Sequence, residues 1–178
     1  MADVIDFADF VGRRKGRQAF HRLLRRLGSD LGDLGRIRDL PDEVLLKMAE
    51  GGMEGSAILD ELILAVHGIA ATHLREVSPA ARMRFLDVSL FLIDQLRFEI
   101  MVRIGWVDPL PTRDIPLTDL IRSDGEALRR LRATPSLKKG HPHHHRFRAL
   151  LDPEKEAFLR KQIPVALELF RRKIQGGS

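Results

Sequence analysis

The chain of 178 residues contains no cysteine and no tyrosine, and it has a single tryptophan. The missing cysteine excludes disulfides, thiolate nucleophiles and thiolate zinc sites together. The missing tyrosine removes one class of general acid. The phosphate-cradling GxxxxGKS/T, the dinucleotide GxGxxG, the zinc-protease HExxH and the nucleophile-elbow GxSxG are all absent from the sequence. Long apolar runs are missing too. The longest uncharged one, LILAVHGIAATHL (62–74), falls short of the roughly 20 residues that cross a bilayer and carries two histidines. The opening MADVIDFADFVGRRKGR lacks the basic-then-apolar order of a secretory signal, and Asp3, Asp6 and Asp9 argue against an organelle transit peptide. These absences lead us to expect a cytoplasmic, non-catalytic protein without a cofactor.

Charge is present and unevenly spread. Residues 1–40 carry nine Lys/Arg and six Asp/Glu, a balance of +3. Residues 41–120 carry seven and thirteen (−6), and residues 121–178 carry fourteen and six (+8). An acidic middle flanked by basic ends points to an acidic partner or to self-complementation.

Apolar spacing is helical throughout, and no stretch alternates as a strand does. Phe20, Leu23, Leu24 and Leu27 fall at i, i+3, i+4 and i+7, a stripe that Gly28 can close. In DLPDEVLLKMAEGG, Pro41 and the acids Asp42 and Glu43 suit a helix start, and Gly51-Gly52 a stop. LPDEVLLKMAE (40–50) resembles the opening of an F-box over eleven residues; GG and MEGSA, which follow, do not continue that pattern, and no function is taken from it. Two long segments come next, at about 56–77 and 79–104, joined by Ser78-Pro79, with Gly105 ending the second. The expected fold is all-α: a helical bundle around this antiparallel hairpin, with basic N- and C-terminal helical arms. Within one all-α domain (1–178) the expected parts are a basic N-terminal arm (1–40), a helical core (41–106), a Pro-rich connection (107–117) and a basic C-terminal helical region (118–178). Ser123 and Glu126 have capping-box spacing for a short basic helix, and a final helix from Asp152-Pro153 is expected to kink near Pro164. Both hairpin helices are apolar around much of their circumference, so a homodimer is expected to cover them.

Candidate sites follow from the same reading. From Val11 to Ser29 there are seven Lys/Arg and no carboxylate. Arg13, Arg14, Lys15, Arg17, Arg22, Arg25 and Arg26 therefore form an electrostatic footprint for an acidic protein or for nucleic acid phosphates. KKGHPHHHRFR (138–148) supplies a second footprint, Lys138, Lys139, Arg146 and Arg148, with Phe147 available for stacking. In the same stretch His141, His143, His144 and His145 are weak candidates for a transition metal, since neighbouring cations repel it and no carboxylate orients an imidazole. A hairpin turn near Ser78 pairs positions summing to about 157, placing Asp60 opposite Arg97 and His67 within a turn of Asp94. The function expected is a non-catalytic helical binding or scaffold protein that engages an acidic partner through basic surface. Nucleic-acid binding is the alternative, and metal binding through the histidines ranks third.

Overall fold

The segment RMRFLDVSLFLIDQLRFEIMVR has apolar side chains in almost every direction, and a helix of that kind must be enclosed. The computed structural model, which describes residues 35–69 and 74–176, shows how this is done. Among the described residues there are seven α-helices: α1 (Asp42–Glu50), α2 (Met53–Val66), α3 (Pro79–Arg103), α4 (Leu117–Arg122), α5 (Gly125–Leu131), α6 (His144–Arg148) and α7 (Asp152–Gly176). Short 3-10 turns lie at Ile37–Asp39, Leu74–Glu76 and Pro111–Asp114. There is no strand among the described residues, and two isolated bridges join Arg36 to Pro116 and Val107 to Leu137. The chain is mostly helical, as its periodicity implies.

The central element is α3, against which α1, α2, α4, α5, α7 and all three 3-10 turns pack. In its last two turns Phe98, Glu99, Ile100 and Met101 are all buried, and four consecutive residues sample the whole helix circumference. The apolar girth that motivated a second subunit is thus enclosed at this end by the chain's own elements. At the other end Met83, Leu86 and Leu90 stay 62%, 40% and 59% exposed.

Helix ends follow local chemistry. The Ser78 hydroxyl accepts from the Ala81 amide at 3.4 Å, and Pro79 opens α3. Gly105, at φ +80°, closes it: the Gly105 amide donates to the Val102 carbonyl and the Trp106 amide to that of Met101, both at 2.9 Å. The same paired bonds close α2 earlier than expected. Gly68 has φ +68°, its amide reaches the Ala65 carbonyl at 3.0 Å, and the Ile69 amide reaches that of Leu64 at 2.9 Å. The helix expected over 56–77 therefore ends at Val66, and the tight hairpin turn at Ser78 gives way to a longer link containing Leu74–Glu76. The cap of α5 also differs. Asp124, not Ser123, accepts from the Ala127 amide at 2.7 Å, while the Ser123 hydroxyl donates back to the Asp119 carbonyl of α4. Pro164 lies inside α7 without ending it.

Among the described residues the core contains one built-in charge, Glu99. The Glu99 side chain is 2% exposed and accepts from Arg113 Nε at 2.8 Å, Arg113 Nη2 at 2.9 Å and Arg103 Nε at 3.1 Å. Arg103 continues to the Asp42 carboxylate and to the Arg38 carbonyl at 3.0 Å. One turn earlier on α3, the buried Gln95 accepts from the Thr112 hydroxyl at 2.5 Å. A buried carboxylate needs such partners, because removing one member leaves an uncompensated charge. The first turn of α2 meets α1 equally closely, for a Cβ added at Gly55 would lie 2.3 Å from the Lys47 carbonyl oxygen.

Glu99→Gln is expected to lower unfolding stability by about 3 kcal/mol, taking from Arg113 its carboxylate partner and from Arg103 one of two. Glu126→Gln, which loses only the exposed pair with Arg130, should stay within about 0.5 kcal/mol. Urea titration distinguishes the two, and equal effects would remove Glu99 from its structural role. Gly55→Ala should cost about 1–3 kcal/mol by forcing α1 and α2 apart; an unchanged midpoint would show that the helices separate freely.

Candidate functional site

The residues after α3 turn back along it, which brings two remote segments together. The Lys138 amide donates to the Trp106 carbonyl at 2.8 Å, and the Asp108 amide donates to the Ser136 carbonyl at 2.9 Å. These bonds pin the extended stretch before the histidines to the chain just past α3. The histidine segment is then folded against the body rather than left as a loop. His141 is 7% exposed and packs edge-on against Trp106, with ring centroids 4.9 Å apart. Its Nδ1 accepts from the His143 amide at 3.2 Å. Phe147 is buried and meets the Phe158 ring of α7 edge-on at 5.7 Å. It is therefore a core anchor, and the expected stacking role for Phe147 is not met.

Anchoring Phe147 fixes which way α6 faces. His144 and Arg148, four residues apart, share one helix face. Together with Lys138, Lys139 and Lys155 they line an open groove between the pinned stretch, α6 and the first turn of α7. The groove has a volume of about 880 Å³, within the ~300–1,000 Å³ typical of a ligand pocket, and is open to solvent. Two carboxylates, Asp108 and Asp152, interrupt its wall, and Asp152 is held by Lys155 at 2.9 Å. Lys138, Lys139, Arg146 and Arg148 have no carboxylate partner among the described residues, unlike Arg160, Arg171 and Arg172 on α7.

Of the residues singled out from sequence, the structure brings Lys138, Lys139 and Arg148 to this groove, and Arg146 does not line it. Lys155 was missed, since nothing local marks it; only the packing of α7 brings it there. His144 joins the groove as a wall residue. Among the described residues no three His, Asp or Glu side chains converge so as to hold a metal ion. The N-terminal footprint, Arg13 through Arg26, lies outside the described residues.

The expected His67–Asp94 approach does not occur. Asp94 is taken by Arg160 in a two-pronged pair at 2.8 and 3.2 Å, because the early end of α2 shifts the counted register. Arg97 donates to the Ala49 carbonyl at 3.0 Å. His67 stacks on Phe85 with centroids 4.7 Å apart. Its Nε2 lies 3.3 Å from the Ile121 carbonyl, and its Nδ1 lies 3.3 Å from Arg84 Nη2. The carbonyl requires a proton on Nε2 and the arginine requires a lone pair on Nδ1, which together define a neutral tautomer. Burial, then the charge of Arg84, depresses the His67 pKa below 6.5, while the Ile121 carbonyl pulls the other way. Burial, then His143, depresses that of His141. Both histidines are engaged by packing and hydrogen bonds with neighbouring elements.

A match to known proteins is lacking: no family model, curated protein or solved structure matches this chain.

A depressed histidine value means that the unfolded chain binds protons which the folded chain refuses. The stabilisation is complete above about pH 6.5 and is lost as pH falls through the folded-state values. Urea midpoints should therefore drop between pH 7.5 and 5.5, above the ordinary carboxylate range. Replacing His67→Gln with His141→Asn should flatten that slope; an unaltered slope in the double variant would assign it to other groups.

Proposed function

We propose that this chain is a non-catalytic helical binding protein that engages an acidic segment of another protein through the groove lined by Lys138, Lys139, His144, Arg148 and Lys155. The observation that carries the reading is the gathering along one groove of Lys138, Lys139 and Arg148, none of which has a carboxylate partner among the described residues. Cations that the fold leaves unneutralised and gathers along one wall raise the local potential for an anionic partner. Asp108 and Asp152 would repel a uniformly charged polymer at two places, and a peptide of mixed sequence can meet them with its own cations. Phe147, the aromatic ring that could stack on a base, is buried. These two features favour an acidic protein over nucleic acid.

The homodimer expected from the sequence is not carried into this reading, because the girth of α3 that motivated it is largely covered within the chain. No helix among the described residues is long and apolar enough to cross a membrane.

The triple reversal Lys138→Glu, Lys139→Glu and Arg148→Glu tests the groove. Binding to a labelled acidic peptide library should fall more than tenfold, with circular dichroism unchanged because the three side chains have no internal partner. Binding to single-stranded DNA should be weak and steeply salt-dependent in the parent protein. Retention of peptide binding by the triple variant would reject the groove. Tighter binding to DNA than to any acidic peptide would replace the partner class.

A further inference from the structure

The exposed face of α3 presents Met83, Leu86 and Leu90 at i, i+3 and i+7, three large apolar side chains on the helix whose remaining faces form the core. Asp87 flanks them, is exposed, and has no partner among the described residues. We propose that this face is the docking site for residues 20–27 of the same chain, packing Phe20, Leu23, Leu24 and Leu27 against Met83, Leu86 and Leu90.

Three arguments select this occupant. The two stripes match in length, since each runs from i to i+7, about 10 Å along a helix. Charge is complementary, because the stretch Val11–Ser29 has seven Lys/Arg and no acid to set beside Asp87. A second copy packed antiparallel through the same face would bring two Asp87 carboxylates to the same flank, which like-charge repulsion disfavours.

The tether is long enough. The chain enters the described residues at Gly35, whose carbonyl accepts from the Leu117 amide at 2.8 Å, at the start of α4. From Leu117 to Ile121 the rise along α4 is about 6 Å. The Ile121 carbonyl meets the His67 ring, and that ring meets Arg84, the neighbour of Met83. The way from Gly35 to the stripe is therefore a short helix, one imidazole and one arginine side chain. Gly28 to Gly35, extended, reaches about 28 Å. Joining the two stripes by so short a link raises their effective concentration to roughly the millimolar range. Docked in this way, the segment turns Arg22 and Arg25, which lie opposite its apolar stripe, toward solvent.

The natural absence of cysteine makes the test direct. Leu24→Cys combined with Leu86→Cys, in the full-length protein, supplies the only two thiols, to be joined by a short bis-maleimide at low protein concentration. The expected product is an internally linked single chain. Leu24→Cys with Met53→Cys is the control, since position 53 lies at the far end of α2, about 20 Å from His67. In a second measurement, maleimide labelling of Leu86→Cys alone should speed up severalfold when Leu23→Asp and Leu24→Asp are added. Links formed only between two chains would assign the face to a second copy and overturn the proposal. Equal linking in test and control, or labelling that is indifferent to the aspartates, would overturn it as well.

Discussion

Glu99 is a carboxylate kept from water on the central helix, α3. Desolvating it costs several kcal/mol unless cations meet it, and both cations are delivered by specific chain paths. Arg103 comes from the next turn of the same helix, and Arg113 comes from the 3-10 turn beyond Gly105. Satisfying Glu99 therefore obliges the chain leaving α3 to fold back along it, a path that the Thr112–Gln95 bond reinforces. Arg103 passes the constraint on to Asp42 at the first turn of α1 and to the carbonyls of residues 37 and 38. The returning strand of chain then offers Trp106–Asp108 as the edge on which Ser136–Lys138 is pinned. The basic groove thus depends on an ion pair that it does not itself contain.

The distribution of charge looks different once pairing is known. The acidic middle of the sequence is spent largely inside the molecule: Asp42, Asp94, Glu99 and Asp114 hold Arg103, Arg160, Arg113 and Arg38 respectively. The basic C-terminal region divides in two. Arg160, Arg171 and Arg172 on α7 are neutralised by neighbours, whereas Lys138, Lys139, Arg146 and Arg148 have no carboxylate partner among the described residues. Net charge alone gives both groups the same weight. Unpaired charge is what can attract.

Much of the fold is readable locally. Ser78-Pro79 and Gly105 mark the ends of α3 because a hydroxyl acceptor and a residue tolerant of positive φ act within a single turn. Gly68 follows the same logic, with Ile69 as the apolar residue after it, so the true end of α2 was legible too. It was passed over because the apolar run continues through it. The missed cap at Asp124 has a different cause, for two adjacent acceptors compete, and Ser123 is already engaged by the end of α4.

Phe147 and Lys155 lie at the limit of that legibility. In the sequence Phe147 sits among histidines and arginines and looks exposed, yet it anchors α6 against Phe158. Lys155 looks like an ordinary first-turn lysine, yet it completes a groove built by residues 134–148. The amino-acid order alone determined the helical class, the limits of α1, α3 and α7 and the lack of thiol chemistry, because these depend on backbone preferences and composition acting over a few residues. Tertiary structure decided which charges are paired, which aromatic rings are core and where free cations gather. Those outcomes rest on burial and ion pairing between residues far apart in the chain, such as Arg160 with Asp94 and Arg171 with Glu50. No local spacing encodes them.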